Sequence, residues 1–268
     1  MRKILLVTLL ICAILIPLSA QTVRLRLATT TSTDDSGLLP VLNPPFEKLT
    51  GITVDVIAVG TGKALKLGEN GDVDVVLVHD RAAEDKFMAA GFGVNRRDVM
   101  HNDFVIVGPA DDPAKIAGVK AAKDAFAKIA AVAAPFVSRG DKSGTNTKEL
   151  DLWAAAGVKP KGSWYKEAGQ GMGTVLTMSN DLKAYTLSDR GTWIALQDKL
   201  PGLKILFEGE AALFNPYGVI AVNPEKHPEV NYLAAMQYIA WVTSVQGQKV
   251  IREYTMKGQQ LFTPDAVH

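Results

Sequence analysis

Between residues 23 and 78, short apolar segments alternate with helical patterns, and this alternation limits the chain more than any other feature. "VRLRLA" (23–28) reads as a strand, and Leu38, Leu39, Leu42, Phe46 and Leu49 then recur at helical spacing before Gly51. "ITVDVIAV" (52–59) is a second strand, "ALKLGENG" (64–71) a helical turn with a glycine stop, and "VDVVLV" (73–78) a buried strand. Strands alternating with helices form βαβ units, whose crossovers leave neighbouring strands parallel. A mostly parallel sheet is therefore expected.

The rhythm resumes after "NDFVIVGPADDP" (102–113). A helix is expected around 120–131, a strand at "PFVS" (135–138), a helix from about Thr145 to Ala156 and a strand at "AYTLS" (184–188). "NPYGVIAVNPEKHP" (215–228) is again strand-like and leads to a long amphipathic helix carrying Tyr232, Met236, Ile239 and Val242. Two α/β lobes joined by two extended crossings fit this order. No repeat, low-complexity tract or heptad pattern is present.

Composition narrows the function classes. "MRKILLVTLLICAILIPLSA" (1–20) has a basic start, an apolar run too short to span a bilayer and a small-residue end, so it reads as a secretory signal peptide. The single cysteine, Cys12, lies inside it, after Ile11, where a lipid-attachment signal would want a small residue. The exported chain then has no cysteine, which excludes disulfides, thiol chemistry and cysteine-ligated zinc. Cleavage after residue 20 removes Arg2 and Lys3, leaving 27 basic against 28 acidic residues, a net charge of −1. That balance gives no basis for nucleic-acid or membrane-surface binding. An exported chain without a lipid anchor is expected.

Ligands of open α/β sheets bind beyond the carboxyl ends of strands, where helix N-termini present unpaired N–H groups. Three segments have this layout, with hydroxyl or glycine residues at a strand-to-helix junction: "ATTTSTDDSG" (28–37), "VGTGKAL" (59–65) and "SRGDKSGTNT" (138–147). In the first, one residue suffices to cap a helix, so the run exceeds that need, and Thr30 and Ser32 are read as ligand contacts. Asp34, Asp35 and Ser36 are left to capping. "GTGK" is not a P-loop, which would need Gly at Ile57 and Ser or Thr at Ala64. It is read as a glycine turn against an anion, with Thr61 as hydroxyl donor, or as an ordinary tight turn.

The third segment places Arg139 at a strand end, just before Ser143, Gly144 and Thr145 open a helix. A guanidinium beside a helix N-terminus suits an oxyanion, because it is always charged and offers donors in a fixed fork. The alternative is a surface ion pair with Asp141. The triplet "RGD" (139–141) is too short to argue adhesion. "GQGMGTVLTMSND" (169–181) is Gly-rich before a helix expected from Thr174, without dinucleotide spacing. His79, His101, His227 and His268 show no metal-site spacing, and each is read as a surface or core residue.

Taken together, "ATTTSTDDSGLLP", "VGTGKAL", "GDVDVVLVHD", "SRGDKSGT", "GMGTVLTMSNDLKAYTLSDRGTW" and "NPYGVIAVNPEKHP" resemble the tungstate-binding periplasmic proteins of ABC importers, in order and across the whole exported chain. The resemblance implies a type II periplasmic binding protein, with two α/β lobes, a two-stranded hinge and a ligand cleft between them. Lobe I would be 21–106 with 217–268, and lobe II 107–216. It implies a carrier without catalysis, cofactor or protein-ligated metal, which captures tungstate, or possibly molybdate, and delivers it to the permease's transmembrane subunits. The oxyanion site it implies comprises Thr30, Thr31, Ser32, Thr61, Gly62, Arg139, Gly144 and Thr145.

The chemistry is consistent with that expectation. Tungstate and molybdate are unprotonated dianions near neutrality, so a matching site holds only donors, whereas phosphate keeps a proton and rewards a carboxylate. About six to eight charge-assisted hydrogen bonds at ~1.5–3 kcal/mol each give ~9–24 kcal/mol before association costs of ~4 or more. Nanomolar binding needs ~12 kcal/mol. The alternatives are a binder of molybdate, sulfate or phosphate and, in another class, an exported phosphate or sulfate ester hydrolase. The hydrolase would need a nucleophile with a partnered base, or a metal cluster, and neither is legible here. Arg139→Ala is expected to remove most of the affinity and Asp141→Ala to change it little.

Overall fold

The computed structural model describes residues 23–267; the signal-peptide reading at 1–20 lies outside them. Strand β1 (Arg24–Thr30) turns Leu25 and Leu27 fully inward while Arg24 and Arg26 face out, and from Ala28 onward every residue is buried. It feeds helix α1 (Thr31–Asp35) and then α2 (Leu39–Thr50), which ends at Gly51 in the left-handed region (φ 71°) that glycine adopts without strain. Next come β2 (Thr53–Val59), α3 (Thr61–Asn70), β3 (Val75–Val78) and α4 (Arg81–Ala89). β1 lies between β2 and β3 and is parallel to both, as the βαβ pattern requires.

The long strand β4 (Gly93–Pro109) then carries the chain out of this half. The second half comprises α5 (Ala122–Ala131), β5 (Phe136–Ser138), α6 (Gly144–Ala155), β6 (Tyr165–Glu167), α7 (Met172–Leu182), β7 (Thr186–Asp189), α8 (Arg190–Leu196) and β8 (Leu203–Phe207). β9 (Phe214–Val222) returns, followed by α9 (Tyr232–Val242), α10 (Val245–Glu253) and the short strands β10 (Thr255–Met256), β11 (Gln259–Gln260) and β12 (Thr263–Pro264).

The sheet as a whole is not mostly parallel. β4 pairs antiparallel with β9 along its first part and with β7 and β8 along its second, and β9 is also antiparallel to β3. The cause is the two crossings: β4 leaves the first half and β9 re-enters it, so they run in opposite directions side by side. "NDFVIVGP", expected to precede a new unit, is the far end of the first crossing. α7 begins at Met172, two residues before the expected start.

One hydrophobic core runs across both halves, joining Leu25, Leu27 and Leu39 of the first to Val137, Met172 and Trp193 of the second, and each half adds a cluster of its own. Phe104, Phe126, Phe136, Trp153 and Tyr185 pack together in the second, with Phe126 and Trp153 ring centres 4.4 Å apart. Ala28, Val76, Val78, Phe87 and Ile220 form a core under α3 and α4 in the first. α9 buries Ala234, Ala235, Tyr238, Ile239, Trp241 and Val242. Its apolar surface is therefore broader than an amphipathic stripe.

Candidate functional site

The carboxyl ends of β1, β2, β3 and β5 converge between the halves. Thr30 ends β1 and caps α1, its Oγ1 accepting the Thr33 N–H at 3.2 Å. The capping role thus falls to Thr30, while Ser32 is buried and Thr31 exposed at the pocket edge. α3 has no side-chain cap, because Gly60 occupies that position. Its first N–H groups are therefore unsatisfied donors at a partly positive helix end.

Arg139 follows β5, and the loop behind it is tightly held. Ser138 Oγ donates to Glu149 Oε2 at 2.6 Å and accepts from Asn146 Nδ2 at 3.3 Å, while Asn146 Oδ1 accepts the Lys142 N–H at 3.1 Å. Trp153 and Tyr165 also donate to Glu149, whose pKa burial pushes up. Gly140 has φ 61°, and a Cβ there would lie 2.8 Å from Glu167 Cβ, so the turn requires glycine. Ser143 caps α6 by accepting the Asn146 N–H at 3.3 Å.

Only 6% of Arg139 is exposed, and its Nε and Nη2 donate to Asp141 Oδ2 at 3.1 and 2.6 Å. The ion pair considered from sequence exists, but it lies inside the cleft and orients the guanidinium there. Burial works to raise the Asp141 pKa, and hydrogen bonds from Ser143 and Arg139 outweigh it and hold it below its ordinary value. A buried, internally bonded Arg139 is not presented to an adhesion partner.

Thr30, Thr31, Ser32, Thr61, Arg139, Gly144 and Thr145 line one small cavity. Gly62 instead lines an adjoining groove with Lys63, Asp141, Lys142 and Ser143. Ser143, Gly60 and His79 complete the cavity wall, which includes no carboxylate residue. The cavity is small, with room for about one water molecule. Thr61 Oγ1 and Thr145 Oγ1, one from each half, are buried and have no hydrogen-bond partner among the described residues.

Sequence reasoning missed His79. Its side chain is buried at the end of β3, with Nδ1 2.8 Å from Asn215 Oδ1 and Nε2 3.1 Å from both Thr30 Oγ1 and Ser32 Oγ. Burial pushes its pKa down, so the ring is neutral near pH 7. The available signal was its place immediately after "VVLV", at the carboxyl end of a buried strand.

A family profile described as a PBP superfamily domain matches residues 17–246. The tungstate-binding protein TupA of Peptoclostridium acidaminophilum is 50% identical over 90% of this chain and 85% of that protein. The crystal structure of the tungstate ABC transporter from Geobacter sulfurreducens is 63% identical, covers 86% of this chain and 98% of that one, and has a TM-score of 0.80. A solved structure of the tungstate-binding protein TupA from Desulfovibrio alaskensis is 48% identical, covers 91% of this chain and 100% of that one, and has a TM-score of 0.81. With a hydroxyl- and arginine-lined pocket between two α/β lobes, and relatives of this kind over 86–91% of its length, the chain belongs to the PBP superfamily, in the family of the tungstate-binding proteins of ABC transporters.

Proposed function

We propose that the protein is the periplasmic substrate-binding component of an ABC importer and captures tungstate in the cleft between its lobes. The observation that carries this reading is the pair of orphaned hydroxyls, Thr61 Oγ1 and Thr145 Oγ1, buried on opposite sides of one cavity beside Arg139. A buried hydroxyl without a partner costs ~1–3 kcal/mol, and a hydrogen bond to a charged group contributes ~1.5–3. An acceptor-only tetrahedral anion satisfies both hydroxyls at once and ties the lobes together.

In this reading Ser32, Thr61 and Thr145 donate hydroxyls, the N-termini of α3 and α6 donate N–H groups, including those of Gly62 and Gly144, and Arg139 supplies the positive charge. Asp141 holds Nε and Nη2 of Arg139, which leaves Nη1 for the anion. The absence of carboxylates from the cavity wall, with the His79 Nε2 lone pair already facing the Thr30 and Ser32 hydroxyls, disfavours phosphate, which carries a proton needing an acceptor. Lobe I is 21–106 with 217–268 and lobe II 107–216, with β4 and β9 as the hinge. The protein acts as a monomer, catalyses nothing and hands its cargo to the permease.

Isothermal titration of the exported chain with tungstate, molybdate, sulfate and phosphate tests this. One-to-one tungstate binding in the nanomolar range, with sulfate and phosphate silent, is expected. Sulfate or phosphate binding as tightly as tungstate contradicts it.

A further inference from the structure

The His79 imidazole does something the anion site as described does not use. Asn215 Nδ2 donates to Asn102 Oδ1 at 2.7 Å and lies 3.3 Å from the Tyr217 hydroxyl, so Asn215 Oδ1 faces the ring. That arrangement fixes the Nδ1 proton of His79 as the donor to Asn215, and it leaves Nε2 with a lone pair. The lone pair faces two hydroxyls of the anion site, Thr30 and Ser32, at 3.1 Å each. A neutral His79 therefore accepts a hydrogen bond from one of these hydroxyls and draws its proton away from the cavity.

An anion with two negative charges changes this balance. Desolvation is what keeps the ring neutral, and an opposite charge within ~4–6 Å opposes desolvation directly. The charged groups around the ring are Asp189 at the start of α8, Asp80 beside it in sequence and Arg139 across the cleft. Tyr217 stacks against it at 4.8 Å, and Gly144 of α6 packs on its other atoms, where an added Cβ would lie 3.4 Å from Nδ1. Once Nε2 is protonated it donates to the Thr30 and Ser32 oxygens, and the hydroxyl proton it had held turns to the anion. Both ring N–H groups are then satisfied, Nδ1 by Asn215 and Nε2 by the hydroxyls.

Resting on the oxyanion reading above, we infer that His79 couples capture of the anion to uptake of one proton, changing from a hydrogen-bond acceptor in the empty cleft to a donor in the filled one. Binding that takes up a proton strengthens as pH falls, by up to about tenfold in Kd per pH unit at full coupling. The proton comes from solvent and returns when the anion leaves.

The test is calorimetric titration with tungstate at one pH near 6.5, in buffers of different ionisation enthalpy. The dependence of the apparent heat on the buffer gives the protons taken up. Wild type is expected to take up between about half and one proton per anion, and His79→Gln, which retains a polar amide but does not titrate, close to none. Nitrogen-15 spectra of labelled wild type should show one protonated ring nitrogen on His79 in the empty protein and two in the complex, a readout that needs no variant to fold. Tungstate binding with no buffer dependence, or unchanged uptake in His79→Gln, overturns the inference and leaves the oxyanion reading standing. Absence of tungstate binding by wild type overturns both.

Discussion

Replacing Thr145 by valine removes one hydroxyl and keeps the shape of the side chain, and its two effects have opposite signs. Thr145 is 2% exposed, and its hydroxyl is buried with no partner among the described residues. Its removal relieves a cost of ~1–3 kcal/mol, so the unliganded variant should melt at the same temperature as wild type or a few degrees higher, at ~2–4 °C per kcal/mol for a chain of this size. With tungstate bound, the variant lacks one charge-assisted hydrogen bond of ~1.5–3 kcal/mol, which weakens Kd by about 10- to 150-fold. Thr61→Val should behave alike from the other lobe. Thr29→Val is the control: Thr29 Oγ1 donates to Leu77 O at 2.7 Å inside the sheet, away from the cavity. That variant should lose ~1 kcal/mol of stability and bind normally. Differential scanning calorimetry with titration calorimetry separates the cases. Thr145→Val binding tungstate like wild type, or destabilised as much as Thr29→Val, would refute the reasoning.

Three further outcomes follow from named contacts. Arg139→Lys replaces a fork by a point charge and breaks the two-bond hold of Asp141, so tungstate affinity should fall by ~2 kcal/mol, about 30-fold, and unchanged titration isotherms would contradict this. Gly108→Ala should cost ~1–3 kcal/mol in denaturant unfolding, because the added Cβ would run into the Tyr185 ring; wild-type stability would show that the strand shifts freely. Burial pushes the fully buried Glu84 up to about 7 from 4.5, against the Arg96 guanidinium 2.7 Å away. The folded state then keeps a proton that the unfolded chain releases between these values. Stability from this group is therefore present at low pH and lost as pH rises to about 7, by up to ~1.4 kcal/mol per pH unit. Glu84→Gln should remove that part of the slope in melting temperature, and identical slopes would argue against it.

The junction segments were legible because strand ends, hydroxyl runs and glycines each point to the same place. "ATTTS", "VGTG" and "SRGDKSGT" needed only the rule that open sheets bind at their carboxyl edge. Which hydroxyl does what was not legible, since Thr30 as cap and Thr61 as orphan differ only in what the fold sets beside them. β4 was obscured because "NRRDVMHND" carries charges into a strand whose first part leaves Arg97 and Asp98 exposed, so no clean alternation marks it. The antiparallel crossings depend on contacts between residues far apart in sequence, such as Asn102 with Asn215, and short-range periodicity does not report them. His79 was overlooked for a simpler reason: metal-site spacing was sought, and a single histidine at a strand end has none.

The most direct test of the central claim is diffraction from crystals of the tungstate complex, with the anion located by tungsten anomalous scattering. The account predicts one anomalous peak in the cleft, within hydrogen-bond distance of Thr61 Oγ1, Thr145 Oγ1 and the Arg139 guanidinium. A peak elsewhere, or one touching residues of a single lobe, would contradict it.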